Sequence, residues 1–128
     1  MVISLFSGQG SQYQGMGKDI AEKYPELISL YDKASDIIGK DLKNICFEAD
    51  EAILGETANS QPAIMITSLV CLEAAKNMGF EFSGVAGHSL GEYASMVASG
   101  VVSFEDGFRL IKARAEAMDK CAKANKGS

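Results

Sequence analysis

Apolar and polar residues follow two regimes along the chain: short β-prone runs that end in glycine, and longer stretches with helical spacing. Val2 to Ser7 (VISLFS) is the first β-prone run, and it leads into Gly8 to Gly17, a segment too rich in glycine for a helix. It reads as a buried strand delivering a loop. Pro25 opens a predicted helix in which Leu27, Leu30, Tyr31, Ala34, Ile37 and Ile38 recur at three- and four-residue spacing, until Gly39 stops it. Residues 40–59 are less periodic and predict short helical turns around Leu42, Ile45, Phe47, Ile53 and Leu54, with Asp50 as a cap.

The next pattern is different in kind. From a start marked by Ser60 and Pro62 through Lys76, apolar residues cover nearly the whole helical circumference, which predicts a helix buried in the middle of the fold. Gly84 to His88 then reads as a second strand, followed by a sharp turn and a helical run from Tyr93 to Ser99 closed by Gly100. Ser103 with Asp106 three residues on resembles a capping box and opens a last helix reaching about Ala124. Two parallel strands with four or five helices are less than a self-sufficient α/β sheet, whose strands are normally flanked by others and covered on both faces. A further piece of the domain is therefore expected.

Composition narrows the function. With 47% hydrophobic residues in 128, the chain can bury a core, and its net charge of −5 with only 12 scattered Lys and Arg offers no footprint for nucleic acid or anionic membrane. The longest apolar stretch, Pro62 to Leu72, is broken by Thr67 and Ser68, and the N-terminus has no basic leader, so a cytoplasmic protein is expected. Cys46, Cys71 and Cys121 are widely spaced, which favours thiols over disulfides and implies no metal site.

Gly87-His88-Ser89-Leu90-Gly91 fits the G-x-S-x-G nucleophile elbow, with the required strand before it and helix after it. The glycines let the chain turn tightly around a strained serine, and the next backbone N–H and the helix N-terminus then face a developing oxyanion. The plainer alternative is a strand-to-helix turn whose serine merely caps the helix. His88 is not expected to be the base, because the residue before an elbow serine points its side chain away from it.

Gly8-Gln9-Gly10-Ser11-Gln12, Asn59-Ser60-Gln61-Pro62-Ala63 and Gly87-His88-Ser89-Leu90-Gly91-Glu92-Tyr93 occur in that order. Together they resemble the acyltransferase family of fatty acid and polyketide synthesis, with the discrete malonyl-CoA:acyl carrier protein transacylases most similar. Ser7 departs from the proline that many members carry before Gly-Gln-Gly. The resemblance implies a helix-rich α/β fold, residues 1–128 being the N-terminal part of the large, α/β-hydrolase-like parallel-sheet subdomain, with the ferredoxin-like subdomain absent.

It also implies roles. Ser89 would be the acylated nucleophile, the backbone N–H groups of Leu90 and Gln9 the oxyanion hole, and Arg114 the cation that holds a malonyl carboxylate. Gln61 either lines the pocket or caps a helix beginning at Pro62. On the last helix Phe104, Phe108, Ile111, Ala115 and Met118 form an apolar stripe; Arg114 lies at its edge, while Arg109 faces the opposite side as a surface charge. The implied partners are malonyl-CoA and an acyl carrier protein, without metal or redox cofactor. The activating histidine is expected beyond Ser128, so the chain alone would be inactive and would associate with the remaining portion or with itself. A small serine esterase and a non-catalytic interaction fragment are the rival readings.

Overall fold

A computed structural model describes residues 3–124. The glycine and proline punctuation predicts most boundaries. The first strand, β1, is Ile3–Phe6; Val2, which the sequence pattern places in it, lies outside the described residues. A helix that periodicity does not reveal, α1 (Lys18–Lys23), follows the glycine loop, with Gly17 in the left-handed region before it. A 3-10 turn at Pro25–Leu27 feeds α2 (Ile28–Ile38), and Gly39 ends it at φ 82°, a conformation that glycine adopts without strain. The less periodic stretch folds as α3 (Leu42–Phe47) and α4 (Glu51–Leu54), capped by the carboxylates of Asp41 and Asp50, which accept from Asn44 N and Ile53 N.

The long apolar helix α5 spans Thr57–Asn77, so it begins before the expected start at Ser60 and Pro62. Its first turn is closed by the Glu56 carbonyl, which accepts from Asn59 N and Ser60 N, and Pro62 therefore sits inside the helix. Strand β2 (Gly84–Gly87) comes next, then α6 (Gly91–Ala98) and α7 (Phe104–Ala124). Ser103 Oγ caps α7 by accepting from Asp106 N at 3.0 Å. The Asp106 carboxylate is paired with Arg109 at 2.7 Å instead of reaching back to complete the box.

Helix α5 packs against α1, α2, α3, α4, α6 and α7, which explains its all-round apolar sequence. Side chains such as Met65, Ile66, Val70, Phe108 and Ile111 are fully buried around it, each stabilising the fold by roughly 1.5–3 kcal/mol relative to exposure. Gly107 lets α7 approach closely, since a Cβ there would lie 2.4 Å from Val97 Cγ2 and 3.1 Å from Met65 Cε. No described helix is long and apolar enough to cross a membrane.

The two strands pair in parallel, with Ile3 opposite Gly84 and Phe6 opposite Gly87. Contrary to the expected buried strand, one face of β1 is bare: Phe6 is 5% exposed, but Ile3 is 52% and Leu5 78% exposed. Ser4 and Phe6 point to the helices, and among the described residues no element covers the other face. A cleft of about 350 Å³ runs beside it, with Leu5, Tyr13, Met16, Cys71 and Phe82 in its walls.

Cys46 illustrates how tightly α3 meets α5. Its buried Sγ lies 3.6 Å from both the Ala63 carbonyl and Thr67 Oγ1, and burial pushes the thiol up to about 11 despite the opposing Thr67 contact. An unfolded thiol titrates near ~8.5, so the folded chain retains this proton longer. The resulting stability is present in full below the unfolded value and is lost as pH rises through the folded one. Denaturation midpoints should therefore fall more steeply towards pH 11 in the parent protein than in Cys46→Ala. Parallel curves would contradict this.

Candidate active site

Ser89 sits at the end of β2 with φ 53°, the one positive φ outside glycine among the described residues. Such a conformation costs about 1–3 kcal/mol, and the surrounding backbone holds it in place. His88 N donates to Phe6 O at 3.2 Å, Gly91 N to His88 O at 2.9 Å, and Glu92 N to Ser89 O at 3.0 Å. The spacing of the two glycines has a steric cause. A Cβ on Gly87 would fall 2.1 Å from Gly91 O, and one on Gly91 would fall 2.2 Å from Phe6 O. Both contacts are with backbone, which cannot swing aside as a side chain can.

The glycine loop closes over the same turn. Gly8 lies against His88, whose carbonyl oxygen would be 2.8 Å from a Cβ at that position and whose Nδ1 would be 3.4 Å away. Gln9 is thereby carried next to the elbow, with its side chain donating to Thr57 Oγ1 at 3.4 Å. The backbone N–H groups of Gln9 and Leu90 donate to no acceptor among the described residues. The first turn of α6 starts here, so the positive end of its dipole also faces Ser89. No hydrogen bond joins the His88 ring to Ser89 among the described residues, in keeping with the side chain's expected direction.

Arg114 reaches this turn from α7. One terminal nitrogen donates to Ser89 Oγ at 3.1 Å and the other to Gln61 Oε1 at 3.0 Å, while Cζ lies over the Tyr93 ring, 5.4 Å from its centroid. Among the described residues no carboxylate lies within ion-pair distance of Arg114. Arg109 is on the other side, in an exposed pair with Asp106 that contributes little to stability. The helical face argument thus separates the two arginines as expected.

Gln61 does not cap a helix, because α5 begins at Thr57 and carries residue 61 into its buried interior. Both ends of its amide are engaged: Oε1 accepts from Arg114, and Nε2 donates to Met118 Sδ at 3.2 Å. Met118 is 41% exposed, so the expected apolar stripe on α7 is buried at Phe108, Ile111 and Ala115 and opens towards the site at its end. Tyr93 is the participant that sequence reasoning missed. It lies in the first turn of α6, four residues after Ser89, and closes the Gly87 to Tyr93 segment that the sequence singles out.

What this arrangement offers is an exposed hydroxyl on a strained turn, N–H groups beside it, and an arginine whose partners among the described residues are neutral groups. Such a cation has N–H donors to spare for a carboxylate brought near the hydroxyl.

Residues 3–127 match the acyl transferase domain family. The chain is 41% identical over 127 residues to the malonyl CoA-acyl carrier protein transacylase of Bacillus subtilis, covering 99% of this chain and 40% of that protein. Its fold superimposes on a crystal structure of the Streptococcus pneumoniae MCAT with a TM-score of 0.88 and 39% identity, covering 94% of this chain and 39% of the other. It also matches, at 0.88 and 34% identity, a type II polyketide malonyl-transacylase solved in complex with its acyl carrier protein, covering 98% of this chain and 40% of that one. The helix-rich α/β fold and its small parallel sheet are shared with these structures, and the chain spans about 40% of the length of each of these three relatives.

The glycine contacts make a direct prediction. Gly91→Ala places a methyl group inside the Phe6 carbonyl, so β1 and the elbow must separate, at a cost of about 3 kcal/mol or more. Chemical denaturation should show that loss, whereas an unchanged midpoint would mean that the two segments are not held this closely.

Proposed function

The chain belongs to the acyl transferase domain family, and from that membership we propose that it carries the nucleophile and the acyl-carboxylate site of a malonyl transferase acting between malonyl-CoA and an acyl carrier protein. The relatives' names supply the substrate class, and the observation that carries the reading is Arg114 held against Ser89 with no carboxylate partner among the described residues. A simple acyl group needs no such cation; a malonyl group brings a carboxylate a few ångströms from its thioester.

In this reading Ser89 Oγ attacks the thioester carbonyl, with the N–H groups of Leu90 and Gln9 stabilising the oxyanion. The C–O bond forms, the C–S bond breaks, and CoA leaves with the proton as its thiol. The thiol of a carrier-protein phosphopantetheine then attacks the malonyl-serine ester, releasing the serine hydroxyl. The general base is assigned to a part of the complete protein beyond this chain, since His88 is turned against Gly8. Residues 1–128 alone are accordingly proposed to be inactive, and the pathway served is fatty acid or polyketide synthesis.

The test separates a malonyl site from a general acyl site. Removing Arg114 leaves a desolvated carboxylate without its cation, a loss of about 2–5 kcal/mol that an acetyl group does not suffer. In the complete protein, Arg114→Ala should lower the ratio of kcat/KM for malonyl-CoA over acetyl-CoA by at least about thirtyfold. Arg109→Ala should leave it unchanged. An equal effect of the two substitutions, or no effect of the first, would overturn the malonyl assignment.

A further inference from the structure

The Arg114 guanidinium is held by an amide oxygen from α5 and by a hydroxyl and an aromatic ring from the elbow and the first turn of α6. Resting on the reading of Arg114 as the seat of the acyl carboxylate, we propose that Tyr93 is a positioning residue: its ring face fixes the guanidinium so that its N–H edge is presented beside Ser89.

Three observations carry this. First, Arg114 Cζ lies 5.4 Å from the Tyr93 ring centroid, within the range in which the negative ring face attracts a cation. Attraction through the face consumes none of the N–H donors that a carboxylate requires. A protein carboxylate in the same place would orient the arginine equally well, but it would compete with the substrate.

Second, Tyr93 belongs to the same turn as the nucleophile. Its backbone N–H donates to Leu90 O at 3.1 Å, next to the Glu92 N to Ser89 O bond, so the ring and Ser89 are referred to one rigid piece of backbone. Arg114 comes from α7, and the ring contact links its head to that piece. Gln61 supplies a second anchor from α5, itself oriented by the Met118 sulfur.

Third, the Tyr93 hydroxyl takes part in no hydrogen bond among the described residues, while the ring is partly buried and packs against the core. The face of the ring is therefore the relevant chemistry, and phenylalanine should replace tyrosine without loss.

The experiment uses the complete protein with malonyl-CoA and acetyl-CoA as probes. Tyr93→Phe should retain the parent ratio of kcat/KM between the two. Tyr93→Leu should lower malonyl transfer about 3- to 30-fold and leave acetyl transfer within about twofold. Should the leucine variant fail to fold, a series of increasingly fluorinated phenylalanines at position 93 keeps the ring's shape while draining its negative face, and the ratio should fall stepwise along it. A flat series, a parent-like ratio in a folded Tyr93→Leu, or an equal loss in Tyr93→Phe would overturn the positioning role. Failure of the parent protein to transfer malonyl at all would instead overturn the functional reading beneath it.

Discussion

The contact of Gly91 with the end of β1 is the constraint on which the rest of the site depends. Backbone lies against backbone there, with the space for a single methyl group already taken by the Phe6 carbonyl. Because α6 must begin at that point, the residues joining it to β2 have only a few atoms in which to reverse direction, and Ser89 is forced to φ 53°. The strain is local, and the hydrogen bonds of His88, Gly91 and Glu92 offset it. The same geometry sets the hydroxyl outward, aims α6 at it and places the Tyr93 ring in the first turn of that helix.

The second determinant is charge. Helix α5 is packed on all sides, yet it carries the amide of Gln61 in its fully buried part, where an unpaired polar group would be costly. Both ends of the Gln61 amide are engaged, by Arg114 and by Met118, so the core helix, the turn that carries Ser89 and α7 converge on one cation. An arginine whose partners among the described residues are all neutral retains most of its attraction for an anion. Gly107 supports this from a distance, because close packing of α7 on α5 and α6 is what brings residue 114 over the elbow.

Much of this was legible in the sequence because it rests on local rules. The elbow was readable from its two glycines, the end of α2 from Gly39, the cap of α4 from Asp50, and the placing of Arg114 and Arg109 on different faces of α7 from helical periodicity, Arg114's role itself coming from the resemblance. Other features depend on partners distant in the chain. The start of α5 was misplaced because proline favours the first helical turn only on average, and here the Glu56 carbonyl closes a turn upstream of Pro62. Helix α1 is too short to display a period. The bare face of β1 was unpredictable from VISLFS, since an apolar run records what a strand is suited to pack against and not what lies beside it. The pairing of Gln61 with Arg114, 53 residues apart, and the stacking of Tyr93 under the same cation are products of the tertiary fold.

The central claim is that the strained serine of this turn is the atom that carries the acyl group. The most direct measurement is to incubate the complete protein with malonyl-CoA, quench it in acid, and locate the added mass by peptide mapping. The account predicts a malonyl ester on the peptide containing Ser89, and its disappearance in Ser89→Ala. Malonyl attached to another residue, or undiminished labelling of the alanine variant, would contradict it.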